Sequence, residues 1–132
     1  DLVVMHNVIN HLDEPACMRL HRDPGAESIY RETFRALAAH MPPGAGLMIA
    51  DCARSNLWPA LGLRNPFMPT IEWTKHQNPE VWTRVLSGAG FRRQSLRWTS
   101  FNTLGRPGRL MLGHRLGAWL TLGHFVAWFT KD

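Results

Sequence analysis

Acidic residues are almost missing from the last third of this 132-residue chain: from Val81 onward only Asp132 is acidic, against eight Lys and Arg. The first 80 residues carry 7 basic against 9 acidic side chains, and the two parts together give the net charge of +5. A basic third of this kind attracts phosphate, in RNA or in lipid headgroups, although arginines scattered among apolar residues also fit a solvated face. Cysteine is equally sparse. Cys17 and Cys52 lie far apart, which excludes a disulfide framework and a zinc-binding spacing and predicts reduced, cytoplasmic thiols. The one extended apolar stretch, 110–130, is interrupted by His114, Arg115 and His124, too costly in a bilayer core for a membrane span. No leader is legible at the start, where Asp1 is followed by only four apolar residues before His6. Nucleotide-loop motifs of the types GxGxxG and GxxxxGK[ST] do not occur. Two GAG triplets, at 44–46 and 88–90, follow helical material and precede strands, whereas a phosphate loop runs from strand to helix. There is no repeat and no low-complexity tract. The length suits a single domain burying roughly two-thirds of its unfolded surface.

Against these absences stands an alternation of strands and helices. "DLVVM" is apolar on successive residues, as expected of a strand covered on both faces and kept away from an open edge. Asp13, with Pro15 behind it, predicts a short helix to about Asp23. Asp23-Pro24 starts another, with Ile29, Leu37 and Met41 beside Tyr30, Phe34 and Ala38 as its apolar stripe, stopped by "PPG" at 42–44. "GLMIADC" at 46–52 is a second apolar strand, and the pair reads as a parallel strand–helix–strand crossover. Residues 53–78 are proline-broken and greasy, predicting a lid or wall over a site. Asn78-Pro79-Glu80 starts a helix that ends at Gly88 and Gly90. A strand from about Arg92 to Phe101 follows, with Leu96 and Trp98 inward and one wet face, near the sheet margin. "RPGRLMLGHRLGAWL" predicts a helix and "HFVAWFT" a last strand.

In open parallel sheets ligands collect where the strands end and their loops diverge. This selects Met5, His6, Asn7 and Val8, on to His11, after the first strand, and Asp51 to Arg54 after the second. His6 and Asn7 supply donors and acceptors, His11 and Asp51 a base, Arg54 a positive fork, and Trp58 and Trp73 an apolar wall. Each has a structural use as well. Asn7 suits a strand-to-helix turn, His11 a packed ring, Asp51 a cap, and the tryptophans core or lid packing. His6 and His11 stand five apart, which does not put them on one helical face as paired metal ligands would be, so no metal site is expected.

The order of these pieces resembles the C-terminal half of a class I S-adenosylmethionine-dependent methyltransferase. "DLVVMHNVINHLDE" is similar to that family's fourth strand and following turn, "YRETFRALAAHMPPGAGLMIAD" to the next helix and fifth strand, and "PEVWTRVLSGAGFRRQSLRW" to the helix, "AGF" junction and sixth strand. The resemblance spans nearly the whole chain. It implies an α/β fold, a partial Rossmann-like sheet, mostly parallel, with a last antiparallel strand inserted between the fifth and sixth, flanked by helices. It also implies S-adenosyl-L-methionine as cofactor of the intact parent, with Met5, His6, Asn7 and Val8 beside its methyl end. Arg54, Trp58 and Trp73 would then face a small-molecule or RNA methyl acceptor, and His6, His11 or Asp51 would take its proton. The family's glycine loop and ribose-binding acid have no counterpart in these residues. The resemblance therefore implies a single partial domain over 1–132, starting at the fourth strand, inactive alone, whose partner is the missing N-terminal half of the same domain. Two other roles fit the residues: a small basic RNA- or anionic-membrane-binding module using Arg84, Arg92, Arg93, Arg97, Arg106, Arg109 and Arg115, or a chain completing another subunit's sheet.

Overall fold

The computed structural model describes residues 1–99, 101 and 105–132. Its strands are β1 (Leu2–His6), β2 (Gly46–Cys52), β3 (Phe91–Trp98) and β4 (His124–Lys131); its helices are α1 (Glu14–Arg19), α2 (Pro24–Ala39), α3 (Leu57–Ala60), α4 (Pro79–Ser87), α5 (Gly105–Leu112) and α6 (Arg115–Leu120). The strands form one mixed sheet in the order β1-β2-β4-β3. Only β1 and β2 run parallel; β4 lies antiparallel to both β2 and β3. The fold is thus α/β with helices flanking the sheet, and β4 enters between β2 and β3 as the resemblance implies. The expectation of a mostly parallel sheet does not hold, because the inserted β4 makes two of the three pairings antiparallel.

One face of the sheet carries the core. Leu47 and Ile49 of β2 and Phe125, Ala127 and Phe129 of β4 are fully buried there, against Tyr30 and Phe34 of α2 and Trp82, Val85 and Leu86 of α4. Alternation along each strand puts these residues on one side. On the other side Trp128 lies across Gly46, where an added Cβ would meet its ring at 2.8 Å. On the face of β1 turned away from the core Leu2 and Val4 stay 53 % and 51 % exposed, and Val3 and Met5 are the residues that pack on the core. This corrects the expectation of a strand sheltered on both faces: among the described residues β1 is a sheet edge.

The local signals act as their chemistry requires. Asp13 accepts from the Ala16 amide at 2.9 Å and Asp23 from the Gly25 amide at 2.8 Å, each with proline in the first turn. On α2, Tyr30, Phe34 and Ala38 are buried as predicted, but Ile29 points outward and is 41 % exposed. The region expected to be one helix over 106–120 is two, since His114 caps α6 by accepting from the Gly117 amide. β3 is a margin strand as predicted and bulges between Arg93 and Ser95; Ser100, near the end of the longer strand expected, lies outside the described residues. No helix described is long and apolar enough to cross a membrane.

The single tyrosine ties the segment after β1 to α2. Its buried hydroxyl donates to the carbonyls of Ile9 and Asp13, each at 3.1 Å, and accepts from the Asp13 amide at 3.3 Å, and burial raises its pKa well above the ordinary phenol value. Tyr30→Phe keeps the ring and strands these carbonyls. The variant is expected to lower unfolding free energy by about 1–3 kcal/mol in urea titration with little change in slope.

Candidate functional site

At the end of β1 the chain turns sharply. Asn7 has φ of 52°, the one non-glycine residue described in the left-handed region, and its amide donates to Ala50 O at 2.8 Å. Asparagine tolerates this conformation better than other side chains, which accounts for its use here. Around the turn His6, Asn7 and Val8 are exposed, while Met5 packs half-buried on the core. The His6 ring faces His124 with centroids 6.1 Å apart. His124 shares a hydrogen bond of 2.6 Å with Thr99 Oγ1. Burial holds the His124 pKa below the ordinary 6.5, with His6 adding to the effect and Asp51 opposing it.

At the end of β2, Asp51 is fully buried. Its Oδ1 accepts the Cys52 amide at 2.8 Å and the Nδ1–H of His76 at 2.9 Å, while Oδ2 is buried with no partner among the described residues. His76 is the site residue that the sequence did not disclose. It stands 25 positions from Asp51 in an irregular segment, with no spacing to mark the pairing. Burial pushes both the Cys17 and Cys52 thiols up to about 12.

The remaining predicted residues divide between rim and scaffold. His11 is exposed and paired with Glu14 at 2.5 Å, and hydrogen bonds from His11 and Lys75 hold the Glu14 carboxyl below its ordinary range. Arg54 is no free fork, since its Nη1 donates to Thr74 O at 2.6 Å and Met18 O at 3.4 Å, stapling its loop to the last turn of α1. Trp58 donates from Nε1 to Leu120 O at 2.9 Å. Trp73 approaches Gly123, where a Cβ would meet its ring at 3.0 Å and φ is +66°; both restrictions call for glycine there.

Two hollows open beside the β2 end. One, of about 510 Å³, is lined by Ala53, Asn78, Glu80, Trp98, Arg115 and Trp119, among others. The second, of about 440 Å³, is lined by Arg54, Trp73 and, from the first, Ser55 and Trp119. Arg54 and Trp73 therefore do border a cavity; Trp58 lines neither. The segment 53–78 is bonded to the end of α6: Asn56 and Asn65 are buried and both donate from Nδ2 to Thr121 O, at 3.0 and 2.7 Å. Among the described residues no group of three or more His, Cys, Asp or Glu could hold a metal ion.

No family model matches the chain, and no curated protein or solved structure matches it either.

Because His124 is harder to protonate folded than unfolded, the unfolded state binds the extra proton first as pH falls through 6.5. Stability is therefore greatest above that pH and declines below it. Urea midpoints measured from neutral pH downward are expected to fall, and His124→Gln to flatten that slope; an unchanged slope would contradict the assignment.

Proposed function

We propose that the chain is the acceptor-side half of an S-adenosylmethionine-dependent methyltransferase domain. The observation that carries this reading is the strand order β1-β2-β4-β3 with β4 antiparallel between its neighbours. Two further features support it. The rim residues His6, Asn7 and Val8 cluster at the end of β1 with their side chains exposed, and cavities lie beside the end of β2. The open edge of β1 offers unpaired backbone groups to another strand.

These residues fit one wall of a cofactor site and not the whole of one. Met5, His6, Asn7 and Val8 would border the sulfonium end, whereas no glycine loop or ribose-binding acid occurs in the chain. When bound, the cofactor supplies an electrophilic methyl group, and the protein's part is alignment and exclusion of water. Of the three predicted bases, His6 is the best placed to take a proton from an amine or hydroxyl acceptor. Asp51 is sealed and already bonded to His76, and His11 is held by Glu14. The cavity walled by Trp98 and Trp119 would receive a small-molecule or RNA acceptor.

Calorimetry of the 132-residue chain with S-adenosylmethionine is expected to show no tight binding; submicromolar affinity would overturn the half-domain assignment. A protein extended by the coding sequence upstream of Asp1, about a hundred residues, is expected to contain a strand, a glycine loop and a helix and to bind the cofactor. An upstream region without them, or an extended protein that does not bind, would remove the methyltransferase reading altogether.

A further inference from the structure

The end of the molecule that holds the cavities is unusually apolar at its surface. Leu61, Leu63 and Phe67, just after α3, and Leu110, Met111 and Leu116, on α5 and α6, are all large and exposed. Leu110 is 84 % and Met111 72 % accessible. The segments that carry the two groups adjoin. Trp58 and the Asn56/Asn65 pair bond the carbonyls of Leu120 and Thr121, and the Phe67 ring meets Phe101 at 5.3 Å. Isolated exposed leucines need no explanation, but a contiguous apolar patch marks a contact surface.

The charge carried by residues 53–70 and 105–120 has one sign, with the exposed Glu80 an acidic residue lining the same cavity as Arg115. Arg64, Arg106, Arg109 and Arg115 stand exposed among the apolar side chains, and none makes an ion pair among the described residues. No acidic residue occurs between Cys52 and Ile71 or between Val81 and Lys131. Elsewhere Arg84 pairs with Glu27, Arg92 with Asp132, and Arg93 donates to Thr83 Oγ1, while Arg22 and Arg97 are exposed without an ion pair among the described residues. Four of the exposed arginines without an ion pair, Arg64, Arg106, Arg109 and Arg115, thus lie in the segments that carry the exposed aliphatic groups.

Aliphatic side chains discriminate between anionic partners. Bases stack on aromatic rings, and the surface has Phe67 for that, but its most exposed apolar side chains, Leu110 and Met111, are aliphatic and match the upper part of a lipid acyl layer. Arginines around them match headgroup phosphates. On α5 the buried Gly108 and half-buried Leu112 turn inward, so Arg106, Arg109 and Leu110 share the outward face at three- and four-residue spacing. We infer that the surface formed by residues 57–67 and 105–120 docks peripherally on an anionic membrane, seating Leu110, Met111 and Leu116 below the headgroups. The inference does not depend on methyl transfer.

Sedimentation with vesicles tests it, using phosphatidylcholine alone or with about one-third phosphatidylglycerol and no cofactor. The chain is expected to sediment with the anionic vesicles, far less with neutral ones, and to be released by high salt. The double variant R106Q/R109Q should lose roughly thirty-fold in affinity, and L110S/M111S at least about ten-fold. Ile29→Ser on α2 should lose nothing. Circular dichroism and urea midpoints establish that each variant is folded. Failure to sediment with anionic vesicles at low salt would overturn the proposal. So would retention indifferent to L110S/M111S, or displacement from vesicles by single-stranded RNA at equal phosphate concentration.

Discussion

Among the described residues no backbone hydrogen bond joins β2 to β3 directly, and every ladder contact between the two halves of the sheet passes through β4. Residues 124–131 thus stand at the centre of the architecture, with Phe125, Ala127 and Phe129 buried against the helices on one face. The flanks of this strand are fastened at both ends. Lys131 exchanges backbone bonds with Gly44 and Ala45 and extends its ammonium to Met41 O, while Gly123 O receives the Ala53 amide. The positions of the β2 end, of the following loop and of β3 are all consequences of where β4 lies.

A second constraint converts that frame into a site. The carbonyl of Thr121, at the end of α6, accepts two buried asparagine amides from the 53–68 segment. A buried acceptor with two donors resists rearrangement, because releasing either donor leaves a polar group unpaired. The long proline-rich segment is held against α6 in this way, beside the hollow bounded by Trp98, Trp119 and Arg115. Arg54, which as a sequence motif looks like a ligand-binding cation, belongs to the same fastening through its bonds to main-chain carbonyls.

What the sequence disclosed and what it withheld follow from the range of the forces involved. Apolar runs, aspartate caps and proline or glycine stops act within a few residues, so β1, β2, α2, α4 and β4 are legible one by one. Rim positions at His6, Asn7 and Asp51 follow from knowing where strands end. Pairing across distance leaves no such trace. The Asp51–His76 bond links residues 25 apart through an irregular segment, and nothing around His76 announces it. The exposure of Leu2 and Val4 depends on the absence of a neighbour, which a run of valines does not encode. The break between α5 and α6 turns on a histidine cap whose acceptor role appears only once the chain has bent.

The two margins of the sheet are unlike. β3 presents Arg92, Arg93 and Arg97 to solvent and carries a bulge, features that discourage strand addition, whereas the β1 margin offers Leu2 to Met5 with neither charge nor distortion. Linear growth of a β-ribbon requires two compatible margins on every unit. This molecule has one, so strand-to-strand assembly through it terminates after a single joining event, and a fibril built by repeating that contact has no second face on which to propagate.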